Sequence, residues 1–78
     1  MTLLCCNLPE GVTEERLRQL FSDFGEVLCV EAHMGYTREG CWRAHAYVTM
    51  KNDSEAVAAL RGLGGVPWAG RRLCVAWA

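Results

Sequence analysis

Arg43, His45, Tyr47 and Thr49 alternate along the chain with Ala44, Ala46, Val48 and Met50. Successive side chains on a β-strand point to opposite faces. A strand with this pattern buries its small and apolar set. On its other face it shows a cation, an imidazole, a phenol and a hydroxyl in a row. Rings on an open sheet stack on nucleobases, and a guanidinium pairs with phosphate through its planar fork. The chemistry implied is capture of a single-stranded nucleic acid. Tyr47 is the main platform, His45 a weaker one, and Arg43 the phosphate contact.

The chain around this stretch is small. Its 78 residues make one domain, residues 1–78, and 51% of them are hydrophobic, enough for a single core. Stability is expected on the order of 5–10 kcal/mol. The net charge of −1 and pI near 6.1 argue against strong non-specific attraction to nucleic acid. Binding must come from where the eight Lys and Arg residues are placed.

The five cysteines, Cys5, Cys6, Cys29, Cys41 and Cys74, are odd in number and contain no C-x-x-C pair. They fit reduced intracellular thiols used as small apolar residues, in nucleus or cytoplasm. No signal peptide is visible, and no apolar run approaches the roughly 20 residues of a membrane span. Cys29 with His33, and Cys41 with His45, share a C-x-x-x-H spacing. On strands such residues lie about 13 Å apart, whereas a metal holds its ligands about 2.0–2.3 Å away. No metal is expected. His33 and His45 have no nucleophile and carboxylate at motif spacing, so neither an enzyme nor a cofactor or small-molecule substrate is expected.

The elements that must position the row follow from periodicity. Thr2–Cys6 is an apolar run of the kind a central strand shows. Thr13 can cap a helix in which Glu14 and Glu15 favour the positive end of the dipole and Leu17, Leu20, Phe21 and Phe24 make one stripe. Gly25 is expected to stop it. Residues 26–34 read as a second strand, with Val30, Ala32 and Met34 of one parity and Cys29, Glu31 and His33 of the other. The polar loop Gly35–Gly40 makes a hairpin with the third strand. Asp53 is the expected cap of a second helix with the stripe Ala56, Ala59, Leu60 and Leu63, ended by Gly64-Gly65. Val66–Gly70 is a loop, and Arg71–Ala76 is the last strand, with Leu73 and Val75 inward.

The order β-α-β-β-α-β predicts an α+β, ferredoxin-like sandwich. It has a four-stranded antiparallel sheet with two helices on one face. The other face is left uncovered.

Over about residues 3–77 the sequence resembles an RNA recognition motif domain. Leu3-Leu4-Cys5-Cys6-Asn7-Leu8 matches that family's first-strand hexamer. Arg43 to Met50 matches its third-strand octamer, and Thr13 to Val27 resembles its first helix and Phe-Gly-x-Val exit. The resemblance implies three ring positions on the open face for stacking bases and sugars. Here they hold Leu4, His45 and Tyr47. At about 1–3 kcal/mol per stacked base, one lost platform and one weakened platform cost roughly tenfold to several hundredfold in affinity.

The implied function is a weak module for short single-stranded RNA within a larger protein. The expected contacts are Tyr47, His45 and Arg43, with Leu4 giving apolar contact. Asn7 shapes the turn after the first strand. Glu31 either accepts from a base amine or repels phosphate. Arg38 in the hairpin loop, with Arg71 and Arg72, can add charge contacts. The alternative is a protein-interaction or dimerisation domain on the same fold, motivated by Leu4, the acidic balance and an exposed loop residue, Trp68. A peptide-binding branch of the family carries Arg-x-Phe in that loop, which Val66-Pro67-Trp68 lacks. Trp77 shares the inward parity of Leu73 and Val75, and Trp42 is expected to cover the core edge.

Overall fold

The apolar run Thr2–Cys6 forms β1 and is hydrogen-bonded on both sides in the computed structural model, which describes residues 1–78. One neighbour is β3 (Trp42–Met50) and the other is β6 (Cys74–Trp77). The outer flank of β3 carries β2 (Val27–Tyr36). The sheet order is β2-β3-β1-β6, with every pair antiparallel. The strands on which the octamer and hexamer lie are therefore the two central ones.

Helix α1 spans Glu14–Ser22, and its cap is Thr13, whose hydroxyl accepts from the Arg16 N–H at 3.2 Å. Helix α2 spans Asp53–Leu63. Both helices bury one stripe against one side of the sheet: Leu17 and Phe21 from α1, and Ala56, Ala59 and Leu63 from α2. Leu3, Cys5, Ala44, Ala46, Val48 and Met50 meet them from the central strands. All share the inward parity, and no polar or charged residue is buried with them. At Gly62 the packing is close, because a Cβ there would stand 2.5 Å from the Phe24 ring.

Several expectations need correction. Helix α1 ends at Ser22, with Asp23 as its C-cap, and Gly25 is not left-handed. Gly25 is required for space instead: the Glu55 side chain crosses over it, and an added Cβ would stand 2.6 Å from the Glu55 Cβ. The N-cap position of α2 is held by Asn52, whose backbone is still extended, and Asp53 is already helical. The Asn52 amide donates to Glu55 rather than to the backbone. Arg71-Arg72 is not the start of the last strand. It forms β5, which pairs with β4 (Pro67–Trp68) in a separate two-stranded ribbon. The turn between them places Ala69 and Gly70 at φ of 49° and 83°. Met34 has inward parity but is exposed, although its partner Ala44 on β3 is buried, because β2 is an edge strand with one open flank. Trp77 lies opposite Leu3 as parity requires, yet it is 43% exposed because β6 is an edge strand with one open flank.

One thiol gives the fold a pH signature. Burial pushes Cys5 up to about 12 from an ordinary value of 9.0. Between these values the folded chain keeps a proton that the unfolded chain releases, so stability falls as pH rises. Its contribution is complete below about pH 9 and is lost as pH climbs toward 12. Urea midpoints are expected to drop between about pH 8 and pH 11, with part of that slope absent in Cys5→Ala. An equal slope in wild type and variant would show that Cys5 is not a source.

Candidate nucleic-acid interface

The uncovered face is laid out by strand register. Tyr47 stands between Glu31 on β2 and Leu4 on β1. His45 stands between His33 and Cys6, and Thr49 between Cys29 and Thr2. On the far side, β6 adds Ala76 opposite Leu4 and Cys74 opposite Cys6. The Thr2 and Thr49 hydroxyls are hydrogen-bonded at 3.0 Å and close one end of the face.

Three rings form a cluster at its centre. His45 and Tyr47 meet edge to face, with centroids 5.9 Å apart and planes at 86°. His33 lies nearly parallel to His45, at 5.4 Å and 26°, and touches Tyr47 edge-on at 6.3 Å. The Glu31 carboxylate sits 3.2 Å from His33 Nε2. Both groups are largely solvent-exposed, so this pair is a weak electrostatic feature that orients the ring more than it stabilises the fold. His33 was not among the contacts expected from sequence. Its signal was its parity with Glu31, but only the hairpin register places it against His45.

The cations fall in two places. Arg43 is exposed at the start of β3 and makes no ion pair. Arg71, from the ribbon, lines the same shallow cleft of about 390 Å³, with Trp42, His45, Cys6 and Cys41 beside them. Two guanidiniums so far apart in sequence thus share one concavity next to the rings. Arg38 is exposed in the hairpin turn beyond the end of β2, apart from the ring cluster.

Asn7 lines the same cleft, with its side chain bonded to the ribbon. It takes a left-handed conformation, φ 60°, which asparagine tolerates better than most residues. Its amide donates to the Arg72 carbonyl at 2.8 Å, and its Oδ1 accepts from Arg71 at 3.0 Å. Asn7 therefore ties the exit of β1 to the ribbon and holds Arg71 at the cleft. Leu4 is half-buried on the open face beside Tyr47.

The tryptophans sit away from this face or at its rim. Trp42 packs on the core edge, and its indole N–H donates to the Leu8 carbonyl at 3.0 Å. Tyr36 meets it edge-on at 5.1 Å. Trp68 was expected to be exposed but is half-buried, packed against the core and beside Leu20 of α1. The ribbon folds its indole inward, which removes the exposed loop residue that motivated a protein-docking reading.

This topology and these two strand motifs have a known counterpart. The family model described as RNA recognition motif matches residues 3–73. The chain belongs to this family. A Nostoc sp. protein named as an RNA-binding protein, RbpD, is 40% identical over 76 residues, covering 96% of this chain and 79% of that one. The 31 kDa chloroplastic ribonucleoprotein of Nicotiana sylvestris is 40% identical over 70 residues, 88% of this chain. The chain spans 22% of that protein's length, and 6% of the length of the mouse protein named "Probable RNA-binding protein 19". Among solved structures, the RNA-binding protein PG1 superposes with a TM-score of 0.81 at 32% identity, covering 100% of this chain and 93% of that one. The Rna15 RRM with bound RNA (GU) shares the fold at TM-score 0.81 and 20% identity, over 99% of this chain and 81% of that one. As an RNA recognition motif, the chain departs from the family pattern at the ring positions, with Leu4 and His45 beside an intact Tyr47. No helix of the chain is long and apolar enough to cross a membrane.

Proposed function

We propose that the chain is a binding module for short single-stranded RNA, which lies across the open sheet face. The observation that carries this is the uncovered cluster of Tyr47, His45 and His33 beside a cleft lined by Arg43 and Arg71. One base stacks on Tyr47 and a second on the His45–His33 pair. The two guanidiniums take the intervening phosphate. Leu4 gives apolar contact without a ring face, and Glu31 selects against phosphate over β2 while offering an acceptor to a base amine. Asn7 acts by positioning Arg71. Affinity of the lone domain is micromolar or weaker, and linkage to neighbouring domains in a longer protein raises it by effective concentration.

An NMR titration with a pool of short single-stranded RNAs tests the reading. Shifts should centre on Tyr47, His45 and His33 and weaken as salt rises. Absence of shifts at millimolar RNA would overturn it. The same face allows a gain-of-function test. Leu4→Phe restores the missing platform between Tyr47 and Ala76. It should tighten RNA binding at least about fivefold, the low end of one stacking contact. An unchanged dissociation constant in a folded Leu4→Phe protein would show that RNA does not pass over β1.

A further inference from the structure

The open face also carries two opposed thiols, whose chemistry goes beyond contact with RNA. Cys6 of β1 and Cys74 of β6 are direct partners in the antiparallel register. Both have outward parity, Cys6 half-buried and Cys74 exposed, and both are free thiols. Opposed residues of an antiparallel pair have Cα atoms about 4.5–5.5 Å apart. A disulfide spans about 4.4–6.8 Å between Cα atoms. Burial first, and then the neighbouring Cys74, push the Cys6 thiol above its ordinary value. No group of three His, Cys, Asp or Glu side chains is arranged to hold a metal, so the pair stands as a dithiol. Cys5, next in sequence, points into the core and is fully buried.

We infer that Cys6 and Cys74 form a redox-modifiable dithiol that closes to a cross-strand disulfide by exchange with a small-molecule disulfide of the glutathione type. Cys74 is the first nucleophile, because it is exposed at the sheet edge whereas Cys6 is half-buried and its thiol is pushed up by that burial. The Cys74 thiolate attacks one sulfur of the small disulfide. That S–S bond breaks, one small thiolate leaves, and a mixed disulfide remains on Cys74. Cys6 then loses its proton to solvent, attacks the Cys74 sulfur and expels the second small thiolate. Two protein thiols are oxidised and one small disulfide is reduced to two thiols. The bridge fastens the edge strand β6 to the centre of the sheet and encloses nearly the whole chain in one loop. Closure of the bridge can be read on the RNA-free protein, so its test does not depend on the RNA-binding reading.

The test uses the folded, fully reduced protein in a glutathione redox buffer, followed by intact mass and non-reducing peptide mapping. The expected product is monomeric and lighter by two hydrogens, with peptide 1–16 linked to peptide 73–78. The link should persist in Cys5→Ala and Cys41→Ser and be lost in Cys6→Ser and in Cys74→Ser. Tm should rise by at least about 5 °C on oxidation and return with dithiothreitol. Four results would each overturn the inference. They are oxidation that stops at mixed adducts on the exposed cysteines, a bridge that needs Cys5 or Cys41, a bridge that forms only in denaturant, and a Tm that is unchanged or lower in the oxidised protein.

Discussion

Tyr47→Ala is expected to weaken RNA binding by roughly fivefold to 150-fold, which is one lost stack of about 1–3 kcal/mol. The loss should lie toward the upper end. With Leu4 in place of a ring, the remaining stacking surface is the His45–His33 pair. Tyr47 also holds His45 and His33 edge-on, so its removal loosens the second platform as well. The residue is 36% exposed and lies outside the buried cluster, so Tm should change little. Tyr47→Phe keeps the ring and should bind within about twofold of wild type. Isothermal titration with one short RNA, on wild type and both variants, reads this directly. Unchanged binding by Tyr47→Ala would rule out stacking on this face.

The second large effect falls on the opposite side of the sheet and leaves chemistry aside. Phe21 is the largest fully buried side chain, on the inward stripe of α1. Phe21→Ala removes that contact area and leaves a cavity, at a cost of about 3–5 kcal/mol. A domain of this size holds on the order of 5–10 kcal/mol in total. Tm should therefore fall on the order of 20 °C, with a visible unfolded fraction near body temperature. A loss under about 1 kcal/mol in a urea titration would mean that the helix repacks or that the core lies elsewhere. Together the two variants separate the faces: one loses binding and stays folded, and the other loses the fold.

What could be read from sequence tracks how local the signal is. The stripe Leu17, Leu20, Phe21 and the alternation from Arg43 to Met50 are periodicities of single elements, and both stand in the structure, while Phe24 lies past the end of α1 and still packs on the core. The four-stranded antiparallel sheet with both helices on one face followed from the element order β-α-β-β-α-β, whereas the strand order β2-β3-β1-β6 comes from the structure. The misses arise where one residue decides between two states. Asn52 and Asp53 are both good caps, and nothing local says which one leaves the extended region first. Ala69 takes a left-handed turn that its type does not announce, so Arg71-Arg72 left the last strand for the ribbon. The candidate site was half legible. Tyr47, His45 and Arg43 came from one strand's alternation. His33 needed the hairpin register, and the Arg43–Arg71 cleft needed the Asn7 staple, a contact between residues far apart in sequence.

The register across the open face has a consequence for its relief. Over β2 and β3 the surface rises in rings: His33, His45 and Tyr47. Over β1 and β6 it drops to a terrace of Leu4, Cys6, Cys74 and Ala76. A polymer crossing the sheet therefore meets two kinds of ground. On the high half it is gripped by π faces, which tolerate any base. On the low half it meets short apolar and sulfur-bearing side chains, which admit or refuse a group by its bulk. Under the proposed reading, such a face grips with one half and measures size with the other, so changes of aliphatic or sulfur bulk on the terrace should alter which base is preferred, whereas a ring placed there, as in Leu4→Phe, extends the gripping half across β1.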